Sequence, residues 1–133
     1  MNKGITLRGD VLLERRKKDG TVIDREELKN LIVNAGKERV ARLLCGDGSG
    51  INAFGYIAIG TGTDAPAAGD TTLQTEVARE NSTDAYEASY KATFIHTFSF
   101  GSGVSYAITE AGVLDAASGG TMLDRFTFSA KNV

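Results

Sequence analysis

Tryptophan is absent from this chain, and cysteine, proline and histidine occur once each. A single cysteine, Cys45, excludes an intramolecular disulfide and fits a chain made in a reducing compartment. Beside a helix end, it is expected to be a small buried hydrophobe. One histidine and one cysteine leave no ligand set for a zinc site of nitrogen and sulfur donors. Charge of one sign is also missing. Fifteen basic side chains face seventeen acidic ones, a net charge of -2, so nothing electrostatic points to direct nucleic-acid binding. No apolar run exceeds a few residues, which excludes a membrane-spanning helix. The opening MNKGITLRGD has no apolar stretch of the signal-peptide kind, and secretion by that route is not expected. One proline against sixteen glycines suits a chain that turns often between short strands. The 133 residues suffice for one domain, 1–133, with a core of its own.

What is present is strand patterning. GDVLLERR and TVIDREEL flank the turn Lys17-Lys18-Asp19-Gly20, a hairpin signal because glycine accepts the positive φ such turns need. Both runs are rich in charge, so this hairpin has a solvated face or lies at a sheet edge. Asn34 is a plausible N-cap for AGKERVARLLC. Val33, Val40, Leu43 and Leu44 then share one helix face, Lys37, Glu38, Arg39 and Arg42 cover the other, and Gly46 closes the helix. This predicts one short helix at about 34–45, too short to stand without a sheet beneath it. GDGSGINAFG reads as a loop and YIAIG as a buried strand. TTLQTEVAR fits a strand or a short helical turn equally well.

From Tyr86 to Phe100 the even positions are Tyr, Ala, Tyr, Ala, Phe, His, Phe, Phe. Side chains alternate across a strand, so this predicts one long strand with its aromatics inward. SYAITEAGVLDA and TMLDRFTFSA form a last pair around Ala117-Ser118-Gly119-Gly120. One helix among seven or eight strands predicts a mainly β fold, an antiparallel β-sandwich or jelly roll.

The loop after YIAIG looks first like a phosphate cradle. A P-loop needs a lysine after its glycines, and none follows Gly60, Gly62 and Gly69. The dinucleotide fingerprint fails at Ala65, where its third glycine belongs, and Asp64 and Asp70 would repel a phosphate. The loop is therefore expected to shape the backbone: Gly60 and Gly62 permit conformations other residues resist, and Pro66 stiffens the rest of the loop. Asp47 and Asp64 match no calcium loop. His96 reads as a hydrogen-bonded core or interface residue, with a protonation switch at an interface as the sharper alternative. GDGSG and GSG are not nucleophile elbows. Carboxylates for acid–base work could come from Asp10, Glu14, Glu76, Glu80, Glu110, Asp115 or Asp124, and no pair stands out. Glu110, between an apolar strand and a glycine, is expected to be partly buried in an ion pair with Arg79 or Arg125. Arg8-Gly9-Asp10 spells an adhesion tripeptide by chance. No catalytic, cofactor-binding or metal-binding residue is assigned, and we expect a scaffold or interaction role, not an enzyme.

Three stretches, in order, resemble small virion proteins of tailed bacteriophages: LKNLIVNAGKERVARLLCG, YIAIGTGTDAPAAGDTTLQTEVAR and ITEAGVLDAASGGTMLDRFTF. The resemblance covers about half the chain. It implies a virion structural protein made in the host cytoplasm, and no catalytic residues. A capsid decoration or cement protein is the first expectation, with a tail, baseplate or fibre-attachment part as the alternative. Expected partners are copies of itself, as a trimer or other symmetric oligomer, and the major capsid or tail proteins. The charged hairpin of residues 1–30 is expected to reach a neighbouring subunit by strand addition. A carbohydrate-binding module built on Tyr86 or Tyr90 is a distant alternative. It needs those rings in solvent, whereas the alternation places them inward.

Overall fold

A computed structural model describes residues 6–47 and 52–133. Most of GDGSG therefore lies outside the described residues. In chain order the elements are β1 (Asp10–Arg16), β2 (Val22–Lys29), β3 (Leu31–Ile32), α1 (Asn34–Cys45), β4 (Tyr56–Gly60), β5 (Glu76–Asn81), β6 (Thr83–Glu87), β7 (Lys91–Ile95), β8 (Ala107–Leu114) and β9 (Met122–Asn132). The fold is mainly β, antiparallel and sandwich-like, with one helix among the described residues. Five strands form the central sheet in the order β3-β9-β8-β4-β5, while β1-β2 and β6-β7 form separate two-stranded ribbons.

The sheet is covered on both faces. Val33, Ala58, Leu73, Leu114 and Met122 make one buried cluster, against which Ala35 at the start of α1 packs. Ile59, Ile108, Ala111 and Phe126 make the other. Val11, Leu13 and Leu28 of the β1-β2 ribbon lie over this second cluster, with Phe98 and Phe100. The N-terminal hairpin is thus amphipathic. Its inward side is part of the core, and Arg15 Nη1 ties it to the Asn132 carbonyl at 3.0 Å. Gly20, at φ +91°, closes its turn as expected.

The helix spans the expected residues but docks differently. Val33 occupies the N-cap position with no side-chain cap, and Asn34 is the first helical residue. Asn34 instead donates its N–H to the Ala68 carbonyl at 2.8 Å. Leu43 and Leu44 are exposed, the latter 69%. Contact is made through Gly36, whose backbone sits so close to β9 that a Cβ there would lie 2.3 Å from the Leu123 carbonyl oxygen. Cys45 is exposed, not buried, because it follows these leucines onto the open side of the helix. Gly46, at φ +66°, closes the helix as expected.

The expected long strand is corrected. The chain reverses at Ala88-Ser89-Tyr90, and β6 and β7 pair as a ribbon with Tyr86 opposite Ala92 and Glu87 opposite Lys91. A three-residue reversal preserves parity, since even positions stay opposite even positions. The period-two pattern therefore runs through the turn undisturbed. Tyr86 and Tyr90 are 74% and 96% exposed, so the aromatic face holds only for its second half, where Phe98 and Phe100 turn inward.

Candidate functional site

The stretch between β4 and β5 is folded around a carboxylate of its own chain. Glu110 stands at the middle strand of the sheet and is fully buried. Its carboxylate accepts the N–H groups of Gly62 at 3.0 Å, Gln74 at 2.9 Å and Thr75 at 2.7 Å. It also pairs with Arg125, Nε at 3.0 Å and Nη2 at 2.9 Å. Burial alone would raise this carboxyl group's pKa. The N–H groups of Thr75 and Gln74, the Arg125 guanidinium and the Gly62 N–H outweigh burial and hold it below the ordinary glutamate value.

Arg125 carries the network outward. Its Nη1 reaches Asp70 at 3.0 Å and its Nη2 the Asp64 carbonyl at 3.0 Å. Gln74 closes the loop on itself, accepting the Asp64 N–H and donating to the Asp64 carboxylate, both at 2.9 Å. Gly60 and Gly62 are required by crowding. A Cβ on Gly60 would lie 2.3 Å from the Thr75 carbonyl oxygen, and one on Gly62 2.7 Å from Glu110 Oε1. The loop is indeed an anion cradle, and the anion is Glu110.

Two more arginines fasten the turn between β8 and β9. Arg39 leaves the solvent face expected of it and pairs with Asp115, while its Nη2 donates to Thr121 Oγ1 at 2.9 Å. Arg79 donates to the carbonyls of Ala116 at 2.9 Å and Gly119 at 2.8 Å and pairs with Glu76 at 2.7 Å. The expected ion pair of Glu110 is thus made with Arg125, and Arg79 has another task. Asp124 is buried beside these joints. It accepts the Val113 N–H at 2.8 Å and a hydrogen bond from Asn30 Nδ2, and burial pushes its pKa up to about 6.

The remaining candidates are dispersed. Glu14 goes to Arg16 and Arg25, and Glu80 to His96, whose ring stands edge-on to Phe98 at 4.7 Å. His96 is thus hydrogen-bonded at the surface side of the second core cluster. Gly9 of the Arg-Gly-Asp run is packed against the Asn30 side chain. Asp64, Asp70 and Arg125 rim an open depression of about 510 Å³. Among the described residues no three His, Cys, Asp or Glu side chains group as a metal site. No protein-family model, no curated protein and no solved structure matches the chain.

Sequence reasoning missed Asn30 with Asp124, the inward turn of Arg39, and the role of Asp64 and Asp70 in holding Arg125. The usable signal was an acid or base within otherwise apolar strand, as in ITEAG and LDRF.

Proposed function

We propose that this chain is a bacteriophage virion structural protein, a capsid decoration or cement protein that stabilises the shell through protein–protein contacts. One observation carries the reading. The three stretches that resemble phage virion proteins meet at the same joints. Arg39 and Gly36 of the first contact Asp115 and Leu123 of the third. The loop and Arg79 of the second hold Glu110 and the β8–β9 turn of the third. The residues of these stretches build the frame, in which Glu110, Asp115 and Glu76 are paired with arginines of the same chain. Both ribbons begin outside those stretches and expose apolar side chains. A frame that presents ribbons with exposed apolar side chains suits a part repeated by symmetry over a shell, acting in the virion after synthesis in the host cytoplasm.

Quantitative mass spectrometry of purified virions tests this. Copies in proportion to the shell lattice are expected; a few copies per particle would move the protein to the tail, baseplate or fibre attachment, and its absence would end the proposal. The exposure of Tyr86 and Tyr90 meets the condition set for a carbohydrate-binding module. A glycan array with hits lost in Tyr86→Ala would favour that reading instead.

A further inference from the structure

The two legs of the β1-β2 ribbon meet where the ribbon joins the sheet. Gly9, just before β1, accepts the N–H of Asn30, just after β2, at 3.2 Å. The Asn30 side chain lies so close that a Cβ on Gly9 would collide with it. The same side chain donates from Nδ2 to Asp124, which is only 3% exposed and also accepts the Val113 N–H. Asn30, backed by Gly9, thus stands over a buried carboxyl group at the root of the ribbon.

No cation offsets that burial. Arg125, next on β9, is turned to Glu110 of β8 and to Asp70. Arg8, Asp10 and Lys29, on the ribbon's legs, are exposed. On α1, Lys37 and Glu38 are exposed and Arg39 pairs with Asp115. The two residues of β3, Leu31 and Ile32, do not titrate.

The seam beyond the joint is poorly satisfied. Among the described residues four buried side-chain atoms have no hydrogen-bond partner: Arg15 Nε, Asp24 Oδ1, Glu26 Oε2 and Asn30 Oδ1. All four belong to this ribbon or its joint. Glu26 Oε2 meets Lys131 Nζ at 2.8 Å as a charge pair without hydrogen-bond geometry. Buried polar groups left this way favour a state in which water reaches them. Val11, Leu13 and Leu28, packed on the second core cluster, and Arg15, bonded to the Asn132 carbonyl, hold the ribbon down against that tendency.

We propose that the β1-β2 ribbon is a detachable arm, which lifts from the sheet at the Gly9–Asn30 joint when Asp124 ionises. Lifting admits water to the carboxylate and to the four unpartnered atoms, and it uncovers Ile108, Ala111 and Phe126. Burial raises the Asp124 pKa from 3.8 to about 6, so the closed arm binds the proton more tightly. The advantage of the closed arm is full below pH 3.8 and is lost as pH rises through 6. With the ordinary 3.8 restored in the lifted state, the ratio of lifted to closed arm rises about tenfold from pH 5 to pH 7.

Native-state hydrogen exchange of the full chain, followed by NMR at a series of pH values from 5 to 7, tests this. A two-stranded ribbon is marginal on its own, so a lifted arm exposes its amides. Protection factors, which remove the direct effect of pH on exchange chemistry, are expected to be lower in β1 and β2 than in the β8-β9 ladder and to fall about tenfold over the series. The fall should level off at the pH where the ¹³C shift of the Asp124 carboxyl group reports it half ionised, a readout that needs no variant. In Asp124→Asn, checked for folding by circular dichroism, the arm should keep one protection factor throughout. Arm amides as protected as the ladder, protection that does not change with pH, a fall that persists in Asp124→Asn, or a carboxyl titration at a different pH from the break would each overturn the arm.

Discussion

Replacing Glu110 with glutamine probes the frame at its centre. The change keeps shape and removes charge. In the wild type Gly62 and Thr75 donate to Oε1, while Gln74 and Arg125 donate to Oε2. An amide in either orientation sets its NH₂ against two of these donors and leaves Arg125 without its buried counter-ion. Breaking one side of a buried pair costs about 3–5 kcal/mol, a large share of the roughly 5–15 kcal/mol that stabilises such a domain. Urea unfolding followed by circular dichroism reads the loss. Hydrogen exchange locates it, since the amides of Gly62, Gln74 and Thr75 should lose protection before the β8-β9 ladder does. The pH arm has a definite sign. The carboxyl pKa of Glu110 is lowered in the folded state, so its contribution is present above the ordinary value of 4.5 and lost as pH falls through the native value. Glu110→Gln should flatten that acid limb. In Glu110→Ala, added formate should restore part of the stability by occupying the same N–H groups and guanidinium. A loss below about 1 kcal/mol with the three amides still protected would refute the cradle.

Asp124 has the opposite sign. Burial raises its pKa from 3.8 to about 6, so the native state binds the proton more tightly. Its stabilising share is full below pH 3.8 and is lost as pH rises through 6, a change of about 3 kcal/mol at 1.36 kcal/mol per unit. Asp124→Asn should remove this decline and raise stability at pH 7. Asn30 Oδ1, which is buried without a partner, can then accept from the new amide once its own amide turns over; an unchanged pH profile of unfolding would count against this. Gly36→Ala should destabilise although alanine favours a helix by about 1 kcal/mol, because its Cβ would meet the Leu123 backbone, and a higher urea midpoint would contradict that packing. Gly62→Ala should cost about 1–3 kcal/mol by the same crowding. Gly69→Ala, with nothing within 4 Å of its Cβ, should stay within about 0.5 kcal/mol in the same assay.

Deletion of residues 1–30 is not a clean test of assembly. Val11, Leu13 and Leu28 cover the second core cluster, so the deletion would open the core as well as remove a contact surface. Point changes on the outward side, at Leu12 and Ile23, separate the two roles.

Local patterns were legible where local physics decides. Asp19-Gly20 and Gly119-Gly120 marked turns because positive φ is a property of single residues. Gly46 marked the helix end for the same reason. YIAIG read as a strand because burial on both sides imposes an apolar run, and ITEAGVL as one arm of the pair that the glycine-rich turn joins. The reversal at Ser89 and Tyr90 was illegible, since it uses no glycine, proline, asparagine or aspartate and conserves parity. Arg39 was illegible because a polar residue on a short helix looks solvated until the β8–β9 turn arrives beside it.

Sequence alone therefore determined the class of fold, the positions of most strands and the helix, and the pairing of Glu110 with an arginine, all of which follow from side-chain period and the cost of burying a charge. Tertiary structure alone decided which arginine, which backbone N–H groups, and which glycines are forced. Those depend on segments between 15 and 94 residues apart in the chain meeting at hydrogen-bond distance, and no local pattern encodes that approach.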